Sequence, residues 1–244
     1  MFNYASEFHW RRFRRPNAIG SRMLRRSPPA RGAVRSRATS AEAKARVRAA
    51  FVAAGRKLLA NKNSEAYSLR AVAAAAGYSP GTIYQYFSDH RDLLFAIREQ
   101  DMLEATVALE RVAEAESDSE LRLRKLLLGA MRYWLDHFEH FETLFALAPS
   151  MQIVQSGDGV AFGRSAVVVR AYAVFERAVG AFLQEHTRSE VDPKAAVDCL
   201  IAAVHGMIWF PHATRTMAWT KTEPMIGMVI DAVLASWKRG EHQK

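Results

Sequence analysis

SLRAVAAAAGYSPGTIYQYF, Ser68 to Phe87, reads as two short helices around a glycine turn. Leu69, Val72, Ala73 and Ala76 recur at helical spacing, so the first helix can bury one face. Gly77 follows it and supplies the residue most easily turned to positive φ. Ser79 suits an N-cap, and Pro80 suits the first helical position, where its missing N–H costs nothing. In the second helix Ile83 and Phe87, four apart, point to one side. Thr82, Gln85 and Tyr86 are then left on the opposite face, with Tyr84 at its flank. Two helices at a glycine corner, the second displaying polar side chains outward, form the pattern of a helix-turn-helix facing a DNA major groove.

The flanking sequence supports this unit. Thr39 and Glu42 form a capping box, and Val47, Ala50, Phe51, Ala54 and Leu58 make one apolar stripe on a helix to about Asn61. Beyond Phe87, Ser88 or Asp89 can cap a long helix through Leu93, Leu94 and Ile97 to about Ala115. From Asp118 onward the pattern stays helical with no strand alternation, and helices are expected over 119–138, 140–147, 160–187, 193–217 and 223–239. Asp192-Pro193 is a clean helix start.

AAAAGYSPGTIYQYFSDHRDLL, residues 73–94, resembles the DNA-binding domain of the TetR family of bacterial transcriptional regulators, in which the same two helices read like AxxAGVSxGTxYxxFxxKxxL. The resemblance is specific in its motif across roughly 39–97 and rests on length and helical pattern elsewhere. It implies an all-α fold, with an N-terminal three-helix DNA-binding domain and a larger C-terminal helical domain for effector binding and dimerisation. The expected organisation is a basic arm without fixed structure at 1–38, the helix-turn-helix domain at 39–97, and the effector and dimerisation domain at 98–244. By resemblance the DNA-contacting residues are Arg70, Pro80, Gly81, Thr82, Tyr84, Gln85 and Tyr86. Gln85 can pair bidentately with adenine and Arg70 with guanine, whereas the hydroxyls of Thr82 and Tyr84 suit phosphates. His90 occupies the place where the family usually has a phosphate-holding lysine, with Arg91 beside it.

Charge points to the same partner. The chain of 244 residues carries a formal net charge of +9. Residues 1–48 hold thirteen basic side chains against Glu7 and Glu42, leaving 21 basic and 23 acidic residues for the rest. Clustered Arg and Lys release counterions when they neutralise a phosphate backbone. The arm has three readings: a tether along DNA, an incidental extension, or an upstream start with initiation at Met23.

The helices from Pro193 and Glu223 are apolar almost all round, so each must be covered on more than one face. A chain interior would satisfy them, and so would a homodimer built from the two C-terminal helices, which is the arrangement the resemblance favours. A two-fold dimer would present its recognition helices to half-sites about 34–36 Å apart, hence a palindromic operator on double-stranded DNA. Cys199, within AAVDCLIAAV, is expected to be a small buried side chain. The resemblance further implies a small apolar or aromatic effector, and Trp134, Phe138, Tyr172, His205 and Trp209 are the candidate pocket residues. The expected regulator is a ligand-responsive repressor rather than an enzyme, with no cofactor. No uninterrupted apolar run of about 18 residues occurs, so a cytoplasmic protein without a membrane partner is expected. Two other classes compete. One is a nonspecific DNA-compacting protein. The other is a helical metal-dependent enzyme leaning on Asp136, His137, Glu139 and His140, for which no second ligand cluster appears in the sequence.

Overall fold

The structure is a computed structural model that describes residues 41–60, 67–146, 159–186 and 191–238. The basic arm and Thr39 lie outside them. Every regular element among the described residues is helical. In chain order these are α1 (Ala41–Ala60), α2 (Leu69–Ala75), α3 (Pro80–Ile83), α4 (His90–Glu114), α5 (Ser119–Asp136), α6 (Phe138–Phe141), α7 (Ala166–His186), α8 (Pro193–Ala213) and α9 (Thr222–Lys238). A π-helical turn, Glu142–Ala146, continues α6, and a 3₁₀ turn, Phe162–Arg164, precedes α7.

Local chemistry sets the helix starts. The Ser68 hydroxyl accepts from the Ala71 N–H at 3.2 Å. Asp89 accepts from Arg91 and Asp92 at 2.7 and 2.9 Å, so the long helix is capped by Asp89 rather than Ser88. Asp118 caps α5 and Asp192 caps α8, with Pro193 opening the latter. Each such cap is worth about 1 kcal/mol. Gly77 takes φ 78°, the left-handed conformation that ends α2.

Two apolar cores share α4. Phe51, Leu69, Val72, Ile83, Phe87, Leu93 and Ile97 pack together around the helix-turn-helix. Leu94, Phe95, Met102, Ala105 and Leu109 join the larger core made with α5, α7, α8 and α9. Leu93 and Ile97 therefore face one core while Leu94 and Phe95 face the other. The division expected at 97/98 falls inside this helix, and the described residues from Ala41 on belong to one compact unit.

The C-terminal helices keep one face uncovered. On α8, Ala196, Val197, Leu200, Val204 and Ile208 enter the core, while Ala195, Cys199, Ala202, Gly206, Trp209 and Ala213 are exposed. Cys199 is thus exposed, not buried as expected. An all-round apolar helix gives no periodic cue to its covered side. α8 is also long and apolar enough, by length and composition, to cross a membrane, although its apolar residues are interrupted by Lys194, Asp198, His205 and His212. On α9 the exposed residues include Met228, 74% exposed.

Candidate nucleic-acid interface and effector cavity

The recognition segment is shorter than an ordinary helix. Its α-helical part is Pro80–Ile83, and Tyr84–Tyr86 continue as a tightened turn, with Tyr86 N–H donating to Ile83 O at 3.0 Å. Ser79 occupies the N-cap position, but its hydroxyl pairs with that of Thr82 at 2.8 Å instead of a backbone N–H. Ile83 and Phe87 are buried. Arg70, Pro80, Gly81, Tyr84, Gln85 and His90 are exposed, and Thr82 is half-buried. These residues occupy the outer face of α2 and α3 and the first turn of α4.

Tyr86 departs from the expected outward face. Its ring packs on Phe51 with centroids 5.6 Å apart, and it is half-buried against the DNA-binding core. The tightened turn after Ile83 carries it inward, a rotation that ideal helical spacing does not foresee. Gly81 has nothing within 4 Å of the position a Cβ would take. The fold itself therefore does not require glycine there.

In the larger domain, Met102, Ala105, Thr106 and Leu109 of α4 form one wall of an apolar cavity of about 140 Å³. The opposite walls include Trp134, Phe145, Tyr172, Phe175, Val204 and His205. Three of the five expected pocket residues, Trp134, Tyr172 and His205, thus meet at one cavity. The other two do not line it. Phe138 packs on His212 with centroids 3.7 Å apart, and Trp209 is 37% exposed, one turn further along α8. Phe145, on the π-helical turn, fills the expected place instead, 4.6 Å from the His205 ring and 5.6 Å from Trp134. Nothing in its spacing distinguishes it from Phe138.

His205 and Thr106 offer this cavity hydrogen-bond acceptors. His205 Nδ1 lies 2.7 Å from the Ile201 carbonyl, which can only accept, so the ring proton sits on Nδ1. Burial lowers the His205 pKa and favours the neutral ring. Its Nε2 is then a buried lone pair without a partner among the described residues. Thr106 donates its hydroxyl to Met102 O at 2.7 Å, leaving only oxygen lone pairs. The Tyr172 hydroxyl donates to Asp198 at 2.6 Å. A wider, open depression of about 620 Å³ beside the α4–α5 turn is lined by Glu110, Glu116, Arg122 and Arg177 together with Ala113, Val174 and Ala178 among others.

Between cavity and helix-turn-helix lies an ionic junction. Arg56 of α1 pairs with Asp101 and with Glu104 of α4, the latter at 2.7 Å. Asp101 is 1% exposed, and burial raises its pKa to about 6 against the opposing pull of Arg56. His140 of α6 sits beside it, pushed down to about 4 by burial and by Arg56. The sequence reading had no signal for this junction, since its members lie on three separate elements.

A three-helix helix-turn-helix core is thus joined by one long shared helix to a larger helical core that holds an apolar cavity. Residues 51–97 match the family model described as bacterial regulatory proteins, tetR family. No curated protein sequence matches the chain. Among solved structures, a Rhodococcus sp. RHA1 protein of unknown function is similar at 20% identity and TM-score 0.66, covering 79% of this chain and 96% of that one. A TetR/AcrR-family transcriptional regulator from Thermobifida fusca is similar at 19% identity and TM-score 0.56, covering 79% and 98%. The regulator FadR from Bacillus subtilis, in complex with stearoyl-CoA, is similar at 11% identity and TM-score 0.61, covering 77% and 97%. Residues 51–97 are the helix-turn-helix of the tetR family of bacterial regulatory proteins, and the chain has the fold of a TetR-type transcriptional regulator.

Proposed function

We propose that the chain is a dimeric, ligand-responsive repressor of a palindromic operator, whose DNA affinity falls when a small apolar molecule enters the α4 cavity. The observation that carries this reading is the sharing of α4. Met102, Ala105, Thr106 and Leu109 wall the cavity, while Leu93 and Ile97 of the same helix hold the helix-turn-helix core. A ligand that favours one placement of α4 biases the spacing of two recognition helices by its differential affinity and no more.

The cavity supports a specific effector chemistry. At about 140 Å³ it is close to the roughly 150 Å³ engineered cavity that takes benzene. Its unpaired acceptor on His205 calls for a ligand that donates a hydrogen bond. A phenol or a compact alcohol meets both demands. The cavity is too small for a long acyl chain, and no cationic side chain lines it to hold a carboxylate.

Dimerisation is supported by the uncovered faces of α8 and α9. The small exposed residues of α8, Ala195, Ala202 and Gly206, permit close approach of a second copy, and Trp209, Phe210 and Met228 are exposed large apolar side chains on these two helices. At the DNA end, Gln85 reads a base, Arg70 a guanine, and Thr82, Tyr84 and His90 hold phosphates around the backbone approach at Pro80 and Gly81.

The test is footprinting on DNA flanking the chain's own gene with excess random competitor, repeated with phenol, indole and cyclohexanol. A discrete two-fold protected site that weakens with a donor-bearing ring compound is expected. Diffuse protection abolished by competitor would refute the operator reading. A discrete site insensitive to all three compounds would refute this effector class.

A further inference from the structure

The α5–α6 junction carries a cluster that DNA binding and the apolar cavity leave unused. His137 ends α5 in a non-helical conformation, φ −125° and ψ 47°, and begins α6. Because the chain bends there, His137, Glu139 and His140 converge instead of spreading around a straight helix. One ligand atom from each lies within 4.8 Å of the other two. The two imidazole rings are parallel, with centroids 5.4 Å apart. Parallel rings hold their in-plane lone pairs in separate planes, so one imidazole must turn about its side-chain torsions before both nitrogens and the carboxylate reach the bond lengths of about 2.0–2.2 Å that zinc requires.

A second observation comes from the groups behind the cluster. His140 places Nε2 3.6 Å from Glu139 Oε1 and Nδ1 3.8 Å from Asp101 Oδ1. The Asp101 side chain is 1% exposed. Its Oδ2 and the Nδ1 of His140 are both buried without a hydrogen-bond partner among the described residues, an omission that native interiors rarely tolerate. A metal on His140 Nε2 fixes the ring proton on Nδ1, and a modest approach then lets Nδ1–H donate to Asp101. That is the carboxylate–histidine–metal arrangement by which outer partners orient a ligand. The charges agree. Arg56 pairs with both Asp101 and Glu104, Glu139 adds a further negative charge near Asp101, and a dication offsets the excess.

We propose that His137, Glu139 and His140 bind one divalent transition-metal ion, zinc by their donor set, with Asp101 as the positioning carboxylate behind His140. Two imidazole nitrogens and one carboxylate oxygen suit zinc and leave its fourth position open. Calcium and magnesium take all-oxygen sets and are not expected to compete. Asp101 is also the partner of Arg56 on α1, so the ion would adjoin the contact that ties the first DNA-binding helix to α4.

The experiment uses the untagged full chain, stripped with chelator and titrated with Zn²⁺ by calorimetry and with Co²⁺ by visible absorption. One Zn²⁺ per chain is expected, together with Co²⁺ bands of four-coordinate intensity. His137→Gln and Glu139→Gln, which change incompletely buried side chains, should each lower Zn²⁺ affinity at least tenfold with an unchanged far-ultraviolet circular dichroism spectrum. Asp101→Asn should cost about 10–100-fold; should it not fold, the first two variants decide. Absence of stoichiometric uptake, or uptake equally tight in both the His137 and Glu139 variants, would overturn the proposal.

Discussion

Leu93 and Leu94 are adjacent in the chain and both buried, yet they belong to different cores. Leu93 packs with Phe51 and Phe87 in the DNA-binding domain, and Leu94 joins the core that surrounds the apolar cavity. Neighbouring helical residues diverge by about 100°, so α4 is gripped from both sides over its first two turns. A displacement at Ala105 or Leu109 cannot be absorbed by a hinge between cores. It must be resolved by moving α4 against one of them.

Filling the cavity should therefore mimic a ligand. Ala105 is 1% exposed and lines the cavity, so Ala105→Leu adds about three methylene-sized groups where the effector would sit. The variant is expected to lose its response to phenol and to bind the operator more weakly than the parent. Fluorescence anisotropy on labelled operator checks both; an undiminished effector response would contradict the assigned cavity.

His205→Phe keeps a ring in place and removes the Nε2 acceptor. Affinity for phenol should fall about tenfold, the net worth of one hydrogen bond, while affinity for toluene should not. The variant also tests pH dependence. Burial lowers the folded-state pKa of His205, so below the unfolded value of about 6.5 the unfolded chain takes up a proton that the folded chain refuses. Parent stability must then drop as pH falls below that value. Urea midpoints measured from pH 7 to pH 5 should decline less steeply in the variant, and identical slopes would count against the buried neutral imidazole.

Gly81 separates folding from binding. No atom lies within 4 Å of its absent Cβ and its φ is not positive, so Gly81→Ala should stabilise the fold by about 0.4–1 kcal/mol. At the proposed DNA interface the added methyl group would stand where backbone meets phosphate, and operator affinity should drop tenfold or more. A urea melt and a footprint on the same preparation read the two effects. Unchanged operator affinity would remove Gly81 from the interface.

Base reading by Gln85 predicts a narrow effect. Gln85→Ala should cost about 1–3 kcal/mol at one position of each half-site and leave binding to random DNA unaltered. Equal losses on operator and random DNA would mean that Gln85 contacts backbone only.

For the dimer, Met228 is the sharpest probe because it is 74% exposed on the uncovered face of α9. Met228→Asp places a charge where a second copy would exclude water. Light scattering should show the parent as a dimer and the variant shifted toward monomer, with two-fold protection lost. A variant that remains fully dimeric would place the interface elsewhere.

Local chemistry made much of this fold readable in one dimension. Ser68, Asp89, Asp118 and Asp192 cap helices through hydrogen bonds spanning two or three residues, and Gly77 marks its turn because few other residues accept positive φ. Such signals act over a few residues, so the helix order and the helix-turn-helix were legible without any tertiary contact. Tertiary packing alone decided which side of the uniformly apolar α8 is covered, and hence that Cys199 is exposed. It also turned Tyr86 onto Phe51 and brought Phe145 rather than Phe138 to the cavity. Arg56, Asp101 and His140 meet only because α1, α4 and α6 converge. Contacts between residues some forty positions apart depend on how whole helices pack, and no periodicity along one helix encodes them.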